Sequence, residues 1–195
     1  MRITGGQWRG RLIAVPKTGD IRPTQDRVRE ALFSMLMNDI AHARVLDLCA
    51  GCGSFGLEAL SRGAAHATFV DTNARHVACA RANFETLAGP GDKDRAVFCR
   101  ADAKAFLARP VREGFDIIFA DPPYALWDEP GQAFADWLAL ARLTRTLRDG
   151  GFFIAEAAEK SPAATADGFT LLRDRLYGKT RVLVWQLDGT RTDLL

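Results

Sequence analysis

Five short apolar runs punctuate the middle of the chain, at residues 44–48 (R-V-L-D-L), 67–71 (A-T-F-V-D), 96–99 (A-V-F-C), 115–120 (F-D-I-I-F-A) and 150–156 (G-G-F-F-I-A-E). Their length and near-continuous hydrophobicity predict strands buried on both faces. The stretches that follow the first four place apolar residues three and four apart, which predicts helices over 54–62, 74–87, 103–108 and about 132–146. Strands alternating with helices imply a parallel sheet covered on both sides. The two ends break this rhythm. Residues 170–177 and 181–187 read as strands joined by the tight Gly178-Lys179-Thr180 link, which favours an antiparallel hairpin. Residues 2–15 alternate loosely around Gly5-Gly6 and Gly10 and predict a small hairpin or extended arm. A turn-rich link, 16–23, then leads to Thr24 as a helix cap, with a helix over about 25–38 burying Val28, Leu32, Met35 and Leu36.

The chemistry gathers where strands end. In an open α/β sheet, ligands bind at the carboxyl edge. The first strand runs into Asp47-Leu48-Cys49-Ala50-Gly51-Cys52-Gly53-Ser54-Phe55-Gly56, which contains G-x-G-x-x-G. Glycines there permit positive φ and close backbone approach, and a helix start follows. A dinucleotide or S-adenosylmethionine suits such a turn, as does a tight turn with no ligand. Asp47 tilts the choice, because a carboxylate repels a pyrophosphate but accepts from the amino group of a methionine moiety. Asp71 ends the second strand, where an acid takes ribose hydroxyls or caps the next helix. Asp102 follows the third, as an acceptor for an adenine amino group or again a helix cap. The fourth runs into Asp121-Pro122-Pro123-Tyr124. The two prolines fix φ and hold the Asp121 carboxylate and the Pro122 carbonyl as rigid acceptors, while Tyr124 offers a ring face. That set suits a planar group bearing an exocyclic amine.

Composition narrows the class without choosing it. The 195 residues are 48% hydrophobic and 26% charged, as in a globular chain able to bury a core without disulfides. No apolar run is long enough to span a bilayer, and the N-terminus lacks the apolar core of a signal peptide, so a cytoplasmic protein is expected. Cys49-x-x-Cys52 has no second ligand pair, so reduced thiols and no metal are expected. Net charge is +2, yet residues 1–30 alone carry +4. A basic end on a near-neutral body fits phosphate contact through Arg2, Arg9 and Arg11, or an ordinary solvated hairpin.

These motifs together resemble the class I S-adenosylmethionine-dependent methyltransferases, and D-P-P-Y resembles the form used on exocyclic amines of bases. R-I-T-G-G-Q-W-R-G-R (2–11), R-P-T-Q-D-R-V-R-E-A-L-F (22–33), D-L-C-A-G-C-G-S-F-G-L-E-A-L-S-R-G-A (47–64) and Y-G-K-T (177–180) resemble the RsmD-type 16S rRNA guanine-N2 methyltransferases over nearly the whole chain. Departures are Cys49 and Cys52, where the family often has Phe and a small residue, and Gln25, where Thr or Ser is commoner. The resemblance implies a Rossmann-like, mostly parallel seven-stranded sheet with its last strand antiparallel. It implies a basic arm over 1–23 that grips RNA and a methyltransferase domain over 24–195. It implies a cofactor site at Asp47, Cys49, Ala50, Gly51, Gly53, Asp71, Thr72, Asp102 and Ala103, with Thr24 near the methionine end. Asp121, Pro122, Pro123 and Tyr124 would hold the base. The partner would be 16S rRNA or an assembling small subunit, met by a monomer. Three rivals share parts of the pattern: an adenine-N6 methyltransferase, a nicotinamide-dependent oxidoreductase, and a non-catalytic RNA-binding or assembly protein.

Overall fold

The structure, a computed structural model, describes residues 1–16, 26–122 and 130–189, and for 130–133 the backbone alone. After helix α1 (Asp26–Met35) the chain alternates β1 (Arg44–Leu48), α2 (Ser54–Ser61), β2 (His66–Asp71), α3 (Ala74–Leu87), β3 (Ala96–Arg100), α4 (Ala103–Leu107), β4 (Phe115–Ala120), α5 (Pro130–Leu143) and β5 (Leu147–Ala158). The hairpin β6 (Phe169–Tyr177) and β7 (Thr180–Leu187) closes it. Seven strands form one sheet in the order β3-β2-β1-β4-β5-β7-β6. The first five are parallel, and β7 runs antiparallel to both β5 and β6. The expected architecture is therefore present, with the strand order reversing between β1 and β4.

One sheet face packs Leu46, Leu48, Ile118 and Phe153 against α4 and α5. The other packs Val45, Phe119, Ile154 and Val182 against Val28, Leu32 and Phe33 of α1 and Phe55 and Ala59 of α2. Alternation along each strand sorts the residues between the two cores. Phe69 and Phe98 are register partners on β2 and β3 and stack at 4.8 Å. None of the described helices is long and apolar enough to cross a membrane.

Several local expectations shift. β5 begins at Leu147, earlier than residue 150, with a register break against β4 between Phe115 and Ile117 and a crowded crossing at Gly151. A Cβ there would lie 2.8 Å from the carbonyl oxygens of Arg148 and Asp116. A short 3-10 turn, Pro90–Arg95, precedes β3, where the apolar pattern gives no sign of it. The N-terminal segment is a small hairpin with one antiparallel bridge, Arg2 to Leu12, flanked by bonds from Ile3 N to the Arg11 carbonyl and from Ile13 N to the Met1 carbonyl. It is also docked. Ile3, Trp8 and Ile13 are buried against Leu57, Leu60, Phe84 and Leu87 of α2 and α3.

The docking has a polar centre that the hydrophobic pattern does not reveal. Glu58, fully buried on α2, accepts from Thr4 N and Gly5 N (both 2.8 Å), Thr4 Oγ1 (2.7 Å), Arg62 Nε (2.8 Å) and Arg29 Nε (3.4 Å). Arg29, equally buried, also donates to the Arg2 carbonyl and to Asp26. One carboxylate thus ties α1, α2 and the N-terminal segment together. Burying it without these donors would be costly.

Candidate active site at the carboxyl edge of the sheet

The turn after β1 bends through three left-handed residues, Cys49 (φ 59), Gly51 (φ 55) and Gly53 (φ 83). Cys49 holds a conformation that ordinary side chains rarely adopt. The last glycine of the motif serves packing. A Cβ on Gly56 would lie 2.3 Å from Phe69 Cε1, so only glycine lets α2 lie this close to β2.

Asp47 sits on β1, 1% exposed. Its Oδ2 accepts from Gly56 N at 2.9 Å, inside the first turn of α2. Gly53 at the helix cap has no side chain to do this, so Asp47 satisfies a helix-start N–H from across the turn. A buried acid here is therefore accounted for without a ligand. Its Oδ1 takes no hydrogen bond among the described residues. Burial pushes its carboxyl well above the usual range, against the pull of the Gly56 bond, and the charges of Asp121 and Asp71 add to the rise.

Asp71 is drawn into the same turn. Its Oδ2 accepts from Gly51 N (2.9 Å) and faces His76 Nδ1 (3.3 Å), while Oδ1 accepts from Asn73 N (2.8 Å). Three neighbours use most of the roughly four lone-pair sites of a carboxylate. Thr72 is exposed beyond it. Asp102 caps α4 by accepting from Ala105 N at 2.8 Å and is otherwise exposed, with Ala103 buried behind it. The helix-cap alternative for Asp102 thus holds, and an open carboxylate edge remains. Ala50 N is held by the Val70 carbonyl, at 3.0 Å. Asp121 N reaches the Leu48 carbonyl at 3.4 Å, so the end of β4 leans onto the end of β1. Pro122 is buried. Pro123, Tyr124 and Thr24 lie outside the described residues.

The four acids act on one atom. The half-buried Cys49 thiol is pushed well up, first by burial and then by the negative charges of Asp71, Asp121, Asp47 and Asp102. Cys49 therefore remains a neutral thiol, and acids gathered at the ends of neighbouring strands favour a cationic group over an anionic one, although Arg100 donates to the Thr72 carbonyl beside them at 3.1 Å. Cys52, buried beneath, is pushed up to about 12, mainly by burial. All four cysteines are free. No cluster of metal-ligating side chains occurs among the described residues.

Sequence reasoning misses a fifth acid. Ala120 pairs with Ala155, so Glu156 on β5 lies level with Asp121 on the neighbouring strand, 7% exposed. A signal for it exists, since Glu156 ends an apolar run just as Asp71 does.

The described part of the basic arm does not bring Arg11 to this edge. Arg11 donates to the Thr86 carbonyl at 3.0 Å, near the far end of α3. Twelve residues of helix, about 1.5 Å each, separate that point from the Asp71 end by about 18 Å. Arg2 and Arg9 are exposed on the same segment. Among its described residues, Ala14 lies nearer. Asn83 donates to the carbonyls of Ala14 (2.9 Å) and Cys52 (3.0 Å), anchoring residue 14 beside the glycine-rich turn.

Comparison with known proteins agrees with this geometry. The family model described as Conserved hypothetical protein 95 matches residues 1–186. The chain is 34% identical to ribosomal RNA small subunit methyltransferase D of Escherichia coli strain K12, covering 97% of this chain and 91% of that one. The solved structure of the Escherichia coli protein yhhF superposes with a TM-score of 0.83 at 31% identity, covering 97% and 98%. An RNA methyltransferase from Salinibacter ruber, solved with S-adenosyl-L-homocysteine, shares the fold at 15% identity and a TM-score of 0.62, covering 86% and 94%.

Proposed function

Since the chain belongs to the Conserved hypothetical protein 95 family, the RsmD family of ribosomal RNA methyltransferases, we propose that it moves the methyl group of S-adenosylmethionine to the exocyclic N2 of a guanine in 16S rRNA of the small subunit. The observation that carries this reading is the placing of Asp47, Asp71, Asp102 and Asp121 at the carboxyl ends of four neighbouring strands, around a turn that is left-handed at Cys49, Gly51 and Gly53. A pyrophosphate-bearing dinucleotide would be repelled there. The sulfonium and ammonium groups of S-adenosylmethionine would be attracted.

When bound, this cofactor supplies an electrophilic methyl carbon on sulfur. The chain supplies position and charge. The Oδ1 edge of Asp47 and the rim of the glycine-rich turn from Cys49 to Gly53 would receive the methionine end. Asp71, with Thr72 beside it, and the open edge of Asp102, with Ala103 behind it, would receive the nucleoside. Thr24, by family likeness, would lie near the methionine end.

The N2 lone pair of guanine is delocalised into the ring and attacks poorly. Hydrogen bonds from N2–H to the Asp121 carboxylate and the Pro122 carbonyl would localise it. Those bonds strengthen as positive charge grows on N2, so they favour the transition state over the ground state. By family likeness, Pro123 would keep the acceptors rigid and Tyr124 would stack on the unpaired base. With the methyl group taken up by N2, its proton would be acidic and Asp121 or water would receive it. The protein acts as a monomer, with Arg2, Arg9 and Arg11 contributing remote phosphate contacts.

The test is transfer of labelled methyl to small subunits from a strain lacking the gene, followed by nucleoside analysis. Label in N2-methylguanosine is expected. Label in N6-methyladenosine would replace the base assignment. A bound cofactor with no transfer would favour the assembly-protein reading.

A further inference from the structure

The Y-G-K-T segment, 177–180, has no task in this chemistry. Tyr177 pairs with Thr180, so β6 and β7 are joined by Gly178 and Lys179 alone. Gly178 has φ 62, and Lys179 has no positive φ, the pattern of a type II′ hairpin turn. A Cβ on Gly178 would touch nothing, so the tip stands in solvent.

Register fixes where the tip points. Ala155 of β5 pairs with Ala120, the last residue of β4, and Ala158 pairs with Thr180. At roughly 3.3 Å per residue, the turn stands about 10 Å beyond the end of β4, on the carboxyl edge. It lies on the side of Asp121 away from β2 and β3, where the cofactor half ends.

The hairpin is basic. Arg173, Arg175 and Lys179 are exposed, as is Lys160 in the segment after β5. Arg173 and Lys179 form no ion pair or hydrogen bond among the described residues. Asp174 is held by Arg181 at 2.7 Å, and Arg175 also lies within its field. The other nearby acids are the exposed Glu159 and the buried Glu156, which pairs with Val182 as Arg175 does from the other side. Arg173, Arg175 and Tyr177 are opposite Val184, Val182 and Thr180, so they share the sheet face that carries α1. Charge on an edge strand also blocks pairing with another sheet. That accounts for arginines within β6, but not for a lysine on the tip of its turn.

We propose that the β6–β7 hairpin is an RNA-phosphate grip beside the target base, with Lys179, Arg175 and Arg173 as its cations. It rests on the reading of the site as one for ribosomal RNA. It lies closer to Asp121 along the sheet than Arg11 does along α3, and so sets the path of the strand near the flipped base.

The test is the triple variant Arg173→Gln, Arg175→Gln, Lys179→Gln, with Lys179→Gln alone as a variant whose turn packs against nothing. Binding is measured against salt on a small-subunit RNA transcript and on small subunits, beside cofactor titration. Each phosphate that is no longer neutralised lowers the log–log salt slope by roughly 0.7–0.9, so the slope is expected to fall by about 2–3 in the triple variant and by about 1 in the single variant. Cofactor affinity is expected to stay within twofold. Wild-type slopes and affinities in both variants would overturn the grip. So would a defect confined to assembled subunits, which would assign the hairpin to a protein contact. Failure of the wild-type enzyme to methylate any RNA would instead strike the underlying functional reading.

Discussion

The two halves of the carboxyl edge are built differently. On the β1–β3 side, Asp47, Asp71 and Asp102 each accept backbone N–H groups, from Gly56, from Gly51 and Asn73, and from Ala105. On the β4–β7 side the edge opens into Pro122 and then into a hairpin whose Arg173 and Lys179 carry no partner among the described residues. The first half is preorganised by internal bonds, as suits a small ligand that never changes. The second presents separated charges, as suits a large polyanion that arrives and leaves. A carboxylate that braces a turn can still repel anions, so the bracing role of Asp47 and the binding role proposed for it do not compete.

The sharpest way to separate the halves is Asp121→Ala. Transfer is expected to fall by at least 10²–10³-fold, the scale of a lost transition-state acceptor, while cofactor affinity changes little. Joint loss of both in a stopped-turnover assay and a binding titration would erase the distinction. Next in size is Glu58→Ala. Breaking this buried hub is expected to cost about 3–5 kcal/mol of stability, read from denaturant midpoints. A loss below about 1 kcal/mol would show that the N-terminal segment is held by its apolar residues alone.

The pH dependence of Asp47 has a definite sign. Its folded carboxyl titrates above its unfolded value, so its contribution to stability is fully present below the unfolded pKa, about 3.9, and is lost as pH rises through the folded pKa. Asp47→Asn is expected to flatten that fall. Binding of a cation runs the other way, strengthening as the acid ionises. A wild-type stability profile identical to that of the variant across the acid range would contradict this. The smallest effect is expected from Arg9→Gln with Arg11→Gln, a several-fold loss in RNA affinity with a salt slope lowered by roughly 1.5. A larger loss than that of the hairpin variant would place the nearer grip on the arm instead.

Much of this is legible in the chain because local patterns carry it. Apolar runs such as Phe115–Ala120 announce buried strands, and the glycines at 51, 53 and 56 announce a turn that cannot bear side chains. Other features depend on distant partners. Glu58 reads as one acid on an otherwise apolar helix until Thr4, Gly5 and Arg29 arrive from far along the chain. The docking of Ile3, Trp8 and Ile13 has no period, because a looped segment buries side chains wherever it touches α2 and α3. Asp47 reads as a ligand acceptor alone because its helix-start partner lies nine residues away, across the turn. Glu156 becomes visible as a site residue only when strand register places it beside Asp121.

The central claim is that the acid-lined turn takes a cationic cofactor. Parallel titration of the wild-type protein with S-adenosylmethionine and with NADH at one salt concentration tests it most directly. Saturable one-to-one binding of S-adenosylmethionine, with no NADH binding at the same concentrations, is the expected result. Tighter binding of NADH would contradict the account at its root.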